Sequence, residues 1–279
     1  MKTHKRLKPG VIVQRIIVWT ATLLFLFPFC ICILMAVKSQ RESANNLLSI
    51  PTGIEWNNFV QAWGKAKIAQ SMLNSIIVTT LSVVIVVVVA SMAGYAIGRQ
   101  YKNKWFKFYE TCLMAIMMIP FQTLMIPLYR MFKGLGLMNN LFGAIILIAA
   151  FNVPFAIVLI IGFVRTVPIE LEEAAVIEGC GRFKLFWRIV IPLLKPILAT
   201  VAILDTLWGW NEFNISLLIL QKNAVKTIPL QQYVFFGEHA SNYNMAFAAA
   251  VISMLPVVIF FIVAQKKIVA GMTAGAVKG

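Results

Sequence analysis

The sequence predicts an all-α polytopic membrane protein with six transmembrane helices and both termini in the cytoplasm. Three observations carry this expectation. The 279 residues are 60% hydrophobic and only 13% charged, with a mean hydropathy of +0.84. That is about half the charge of a soluble domain, and a soluble core of this length has no use for so much apolar surface. The apolar residues gather in charge-free runs of about 20, the length of one bilayer crossing. The Lys and Arg residues are shared unequally between alternate loops.

The runs fall at 16–37, at 73–97 inside the uncharged stretch 68–98, at 111–129 between Glu110 and Arg130, within 141–164, at 196–220 and at 246–264. Pro28, Pro120, Pro127, Pro154 and Pro256 lie inside these runs. They predict kinks, which a bundle tolerates when neighbouring helices satisfy the freed carbonyls. The first run is too long for a signal-peptide core and no clear small-residue cleavage site follows it, so it reads as a retained helix.

The cations orient the bundle. Lys2, Lys5, Arg6, Lys8 and Arg15 precede the first run, and Arg99, Lys102, Lys104 and Lys107 follow the second. Arg165, Arg182, Lys184 and Arg188 follow the fourth, and Lys266, Lys267 and Lys278 follow the sixth. The opposite loops hold Lys38, Arg41, Lys65, Lys67, Arg130, Lys133, Lys222 and Lys226. An excess of about two to one assigns the first set, and both termini, to the cytoplasm. The same loop placement accounts for most of the 25 Lys+Arg that stand against 10 Asp+Glu. No basic-aromatic module points to nucleic acid.

Metal and disulfide chemistry have little to work with. Cys30 and Cys32 point apart on a helix, Cys112 lies in another apolar run, and Cys180 stands beside a loop glycine. The two histidines are His4 and His239, and no metal-ligand spacing occurs. In the first outer loop, 38–70, Trp56, Phe59, Val60 and Trp63 recur at helical spacing. Two readings stand for this stripe: it lies at the membrane surface, or it packs on the bundle.

The segment 166–192, TVPIELEEAAVIEGCGRFKLFWRIVIP, is longer than a simple return requires. Pro168 suits a helix start, and Glu170, Glu172 and Glu173 suit a positive helix N-terminus. Ala174 and Ala175 are strong helix formers, Gly179 and Gly181 interrupt the helix, and an apolar-basic helix, 183–189, leads back to the membrane. The expectation is a short helix, a glycine turn and a second helix, with a small-residue face shaped for a groove on another protein.

Glu173-Ala174-Ala175, three residues, Gly179, nine residues, Ile189, one residue and Ile191-Pro192 resembles the EAA loop of binding-protein-dependent ABC importer permeases. The single departure is Ile191 where the family has Leu. Asn74-Ser75, Ala96 to Arg99, Met118-Ile119-Pro120 with Gln122, and Ile126-Pro127-Leu128-Tyr129 are similar to the maltose-type, MalG-like carbohydrate permeases. So are Trp210-Asn211-Glu212-Phe213, Leu255-Pro256 and the tail from Gln265 to Gly279.

The resemblance implies a type I importer (MetI-like) permease fold in a bacterial or archaeal cytoplasmic membrane. It implies a core over 71–265, after an N-terminal segment, first helix and external loop over 1–70, and a cytoplasmic tail over 266–279. It implies a second permease subunit, two cytoplasmic ATPase subunits that bind the ATP and Mg, and an extracytoplasmic solute-binding protein, with lipid around the bundle. Glu173, Ala174, Ala175 and Gly179 would form the ATPase-coupling site: Glu173 the polar contact, the alanines the close fit, Gly179 the turn. The segment from Thr273 to Gly279 would also reach the ATPases. The chain has no phosphate-binding G-x-x-x-x-G-K-[ST] motif and no cofactor of its own, so it is expected to be a non-catalytic subunit. The expected function is ATP-driven import of a carbohydrate, possible solutes including glycerol-3-phosphate; the alternatives are a non-sugar solute or a secondary transporter.

Asp205, Gly209, Glu212 and Ser216 share one face if the fifth run is a continuous helix, with Trp208 and Asn211 nearby. Intramembrane carboxylates face a cavity or a partner because lipid cannot solvate them. Two readings stand: this face lines the translocation pathway, or its carboxylates serve packing and subunit contact.

Overall fold

The computed structural model describes residues 9–236 and 242–276, with side chains through Gln265. Lys2, His4, Lys5, Arg6, Lys8, His239 and Lys278 lie outside the described residues, as do the side chains of the tail. The described chain is helical throughout and forms two units: one of residues up to 68 with 232–255, the other of 69–231 with 256 onward.

The first unit contains α1 (Pro9–Val37), α2 (Gln40–Asn45), α3 (Asn57–Lys65) and the start of α13 (Tyr243–Ala276). Most of α1 is exposed and apolar, as suits a lipid-facing helix; Cys32, Met35 and Ala36 in its last turns are buried. Lys38 follows, fully buried, its ammonium held by the carbonyls of Asn46 (3.1 Å) and Leu47 (2.9 Å) and the hydroxyl of Ser49 (3.2 Å). Two buried amides brace the same turn. Asn58 Nδ2 donates to Ala36 O and Lys38 O (3.0 and 2.7 Å), and Asn244 Nδ2 donates to Met35 O, Lys38 O and Ser43 Oγ. On α3 it is Asn58 and Ala62 that are buried, while Trp56, Val60 and Trp63 face outward. The stripe is therefore not what anchors α3.

The second unit is built around α7 (Leu141–Val164), which contacts α5 (Lys104–Ile116), α10 (Ile191–Trp210) and α11 (Asn214–Ile219). One apolar cluster joins α4 (Ile68–Arg99), α7, the 166–192 loop and the start of α10 through Ile97, Ile160, Val164, Ala175, Leu185 and Leu194. A second, at the opposite end of α7, joins Val78, Phe132, Ile145, Ile148, Ile219 and Leu230. Here Asn74 Nδ2 donates to Ala224 O and Lys226 O (both 3.0 Å), and Ser75 Oγ accepts from Ile228 N (2.9 Å). Asn139, at φ 57°, donates its N–H to Ile219 O (2.8 Å) and accepts from Lys222 N at 2.7 Å. Polar side chains thus satisfy the irregular backbone between α11 and α12 (Ile228–Gln231).

Five helices among the described residues are long and apolar enough to cross a membrane; the remaining expected crossing, the third, differs. In place of one helix over 111–129, α5 and α6 (Phe121–Gly134) meet at 98°. Pro120 takes an extended conformation (φ −63°, ψ 134°) and heads α6, having no N–H to continue α5. The fifth span also differs from the expected 196–220. The chain enters it at α9 (Arg182–Leu185), passes a π-helical turn, Phe186–Val190, and continues as α10 only to Trp210. Pro192 and Pro196 cannot donate to carbonyls in the preceding turn, and a π turn is one way a helix absorbs such a gap. Beyond Asn211 the chain breaks before α11.

Candidate functional site

The 166–192 segment forms the expected helix, turn and helix. α8 (Glu170–Ile177) ends in a Schellman motif: Cys180 N donates to Ala175 O (3.0 Å) and Gly179 N to Val176 O (2.9 Å). Gly179 has φ +80°, a left-handed conformation that other residues adopt at a cost.

The faces of α8 divide cleanly. Glu172 and Ala175, three residues apart, are each 7% exposed and turn into the bundle. Glu173, Ala174 and Gly179 are exposed. Around them Leu171, Val176, Ile177 (85%) and Phe183 (79%) form an uncovered apolar surface, the kind that marks a protein-protein contact.

Within the loop, Glu172 is the carboxylate that other helices hold. Arg99, the last residue of α4, donates Nε and Nη2 to its Oε1 at 2.8 and 2.6 Å. Tyr95 Oη donates to Oε2 at 2.7 Å. The remaining guanidinium nitrogen, Nη1, reaches the carbonyls of Val164 (3.0 Å) and Val167 (2.9 Å), where a cation complements the C-terminus of α7. Beside it Arg165 pairs with Glu110 at 2.6 Å. The sequence carried one signal for Glu172, its i, i+3 spacing from Ala175; it carried none for Tyr95 or Arg99 as its partners.

At this point α4 and α7 approach closely. A β-carbon on Gly98 would lie 2.9 Å from Val164 Cγ1, so the glycine lets the two helices touch at the root of the loop.

The six candidates of the fifth span separate into three groups. Asp205, Gly209 and Ser216 are buried, Asp205 at 2% exposure with neither carboxyl oxygen hydrogen-bonded among the described residues. Gly209 packs on α4, where a β-carbon would stand 3.3 Å from Thr79 Cγ2. Trp208 and Asn211 are exposed. Glu212 sits beyond the end of α10, and its carboxylate accepts from Ile215 N (2.7 Å) and Ser216 N (2.9 Å), capping α11. The single continuous face expected for Asp205, Gly209, Glu212 and Ser216 is therefore absent, because the helix that would carry it ends at Trp210.

Trp208 instead lines a cavity of about 490 Å³ opened by the α5–α6 break. Met117 and Ile119 come from the break, Phe132 from α6, and Asn152 and Phe155 from α7. The rings of Phe155 and Trp208 meet edge to face at 5.0 Å. Asn152 and Phe155 were not among the sequence candidates. Among the described residues no group of His, Cys, Asp and Glu is arranged to hold a metal, and the four cysteines are unpaired.

Comparison with known proteins bears on the whole assembly. Residues 87–273 match the family described as binding-protein-dependent transport system inner membrane component. The melibiose/raffinose/stachyose import permease protein MelC of Bacillus subtilis is 38% identical over 90% of this chain and 91% of its own. The probable starch degradation products transport system permease protein AmyC of Thermoanaerobacterium thermosulfurigenes is 34% identical over 92% and 93%. The multiple sugar-binding transport system permease protein MsmG of Streptococcus mutans is 33% identical over 92% and 93%. A chain of a bacterial ABC transporter that imports the acidic polysaccharide alginate superposes with a TM-score of 0.77 at 24% identity, covering 94% of this chain and 99% of that one. The loop, the helical order and these likenesses agree: the chain belongs to the inner-membrane permeases of binding-protein-dependent ABC importers, with their MetI-like, multi-pass fold.

Proposed function

We propose that this chain is the non-catalytic permease subunit of a carbohydrate importer. Relatives named for melibiose, raffinose and stachyose, for starch degradation products and for multiple sugars, each matched over nine-tenths of the chain, support that solute class. ATP and Mg belong to two ATPase subunits, a second permease completes the pathway, and a solute-binding protein delivers the sugar from outside. The termini and the 166–192 loop face the cytoplasm, following the excess of cations. Residues 71–265 form the permease core, 1–70 its N-terminal extension and 266–279 its tail.

The observation that carries the reading is the exposed face of α8. Glu173 offers a carboxylate and Ala174 a close approach, within an apolar surface, for a cleft on the ATPase. Gly179 holds the turn, and Ala175 supports the helix from within. Nucleotide-driven closure of the ATPases moves α8 and shifts the bundle between outward-open and inward-open states. The test is Glu173→Lys: the bundle stays folded, the ATPase subunits no longer copurify, and oligosaccharide uptake is lost. A variant that retains both its ATPases and its uptake overturns the assignment.

Within the bundle, Trp208, Asn152 and Phe155 suit a sugar, which offers apolar C–H faces to aromatic rings and hydroxyls to an amide. Asn211 is exposed nearby in sequence, whereas the burial of Asp205, Gly209 and Ser216 and the capping by Glu212 favour the packing reading for those four. Trp208→Ala raises the KM for uptake several-fold while Trp208→Phe does so less. Equal KM values across all three proteins remove Trp208 from the pathway.

A further inference from the structure

Arg99 touches three parts of the chain at once. Its guanidinium binds Glu172 in the middle of α8 and the carbonyls of Val164 and Val167 at the entry to the loop. One turn back on α4, Tyr95 reaches the other Glu172 oxygen, and its ring packs on Phe186, 5.6 Å away in the π turn at the loop's exit. Entry, middle and exit of the loop are therefore all tied to the final two turns of α4. Gly94 and Gly98 press the same two turns onto Ile160 and Val164 of α7.

The bonds are protected as well as numerous. The Glu172 and Arg99 side chains are 9% and 15% exposed, so water competes weakly for them. A planar fork with five N–H donors can hold a carboxylate oxygen and two carbonyls together; a lysine ammonium has neither the geometry nor the reach. Glu173 faces away from this network, on the exposed side of α8.

We propose that Tyr95, Arg99 and Glu172 are positioning residues that lock α8 to α4 and α7, so that a displacement of α8 moves these spans as one body. Without the lock, the loop bends at the Gly179 turn and the thrust is lost before it reaches the bundle. This inference rests on the reading that α8 docks the ATPase, and it assigns the inward face of that helix a task separate from docking.

The test uses the whole transporter, purified with its second permease and ATPases and reconstituted in liposomes with its solute-binding protein. The readout is sugar transported per ATP hydrolysed, beside ATPase copurification. Glu172→Gln and Arg99→Lys are expected to keep their ATPases yet lower the sugar-to-ATP ratio roughly 10-fold, the factor of one charge-assisted hydrogen bond. Arg99→Lys separates the lock from a simple ion pair, because an ion pair that served stability alone is rescued by lysine. Should those variants fail to assemble, Tyr95→Phe removes one bond, keeps the ring on Phe186, and is expected to lower the ratio about 3-fold. A wild-type ratio in Arg99→Lys, or in Tyr95→Phe where that is the variant that assembles, overturns the lock. Failure of the docking reading shows separately, as a Glu173→Lys complex that retains both its ATPases and its uptake, and it removes the lock as well.

Discussion

Gly94 of α4 lies directly against Ile160 of α7: a β-carbon at position 94 would stand 2.7 Å from Ile160 Cγ2 and 2.8 Å from its Cβ. Neither atom belongs to a flexible side-chain end, so the helices must part to admit a methyl group. Gly94→Ala is expected to cost about 1–3 kcal/mol and to lower the thermal midpoint of the detergent-solubilised protein. Gly162→Ala on α7, where nothing lies within 4 Å of the added carbon, is the control and stays neutral or gains slightly. Equal midpoints for the two variants contradict the close approach.

Glu212 supports a second prediction, because its carboxylate replaces backbone partners that α11 lacks. Glu212→Ala leaves Ile215 N and Ser216 N without their acceptor, a loss of about 0.5–2 kcal/mol. Glu212→Gln keeps one amide oxygen and loses less. Hydrogen exchange at the Ile215 and Ser216 amides should rise more in Glu212→Ala than in Glu212→Gln. Unaltered exchange in Glu212→Ala means the cap is not formed.

These two sites show where the sequence is legible. The apolar runs could be read because lipid leaves backbone groups only each other to bond with, and four of the six expected crossings are single unbroken helices, while the third is split at Pro120 and the fifth ends at Trp210. What became of the prolines could not be read. Pro28, Pro127, Pro154, Pro196 and Pro256 all lie inside helices, whereas Pro120 separates two. Each removes the same hydrogen bond; the outcome at Pro120 depends on where α6 packs, including the edge-to-face contact of Phe121 with Phe151 at 5.3 Å. In the 166–192 loop the turn was legible because few residues besides glycine take φ +80° readily. Of three neighbouring glutamates, the pattern emphasised Glu173, while the inward one is Glu172. Its partners Tyr95 and Arg99 are more than seventy residues away, and only the α4–α7 contact brings them near.

Gly179 separates conformation from space. Nothing lies within 4 Å of a β-carbon there, so substitution is opposed by the left-handed backbone alone. Gly179→Ala should cost about 1–2 kcal/mol and Gly179→Asn less, since asparagine tolerates this region. A β-branched Gly179→Val should cost most. ATPase copurification and uptake are expected to fall in the order Asn, Ala, Val. If all three match the parent protein, the turn is not held in this conformation when the loop is engaged.

Glu42 gives a prediction in pH. Ser39 and Glu42 cap α2 reciprocally, and Glu42 also accepts from the Thr52 amide (3.0 Å) and hydroxyl, folding the segment that follows α2 back on it. The Thr52 hydroxyl, then the Thr52 amide and Ser39, hold the carboxyl down at about 2, below its ordinary 4.5. A depressed carboxylate contributes its full share above the ordinary value and loses it as pH falls from there toward the folded value. Protection of the Thr52 amide, corrected for intrinsic exchange, should therefore hold from pH 7 to about 5 and decline between about 4.5 and 2. Thr52→Val removes the leading cause of the shift while leaving the backbone bond, so its decline should be smaller and end at higher pH. Coincident pH profiles for the two proteins, or protection unchanged down to pH 2, would show that Glu42 does not organise this loop.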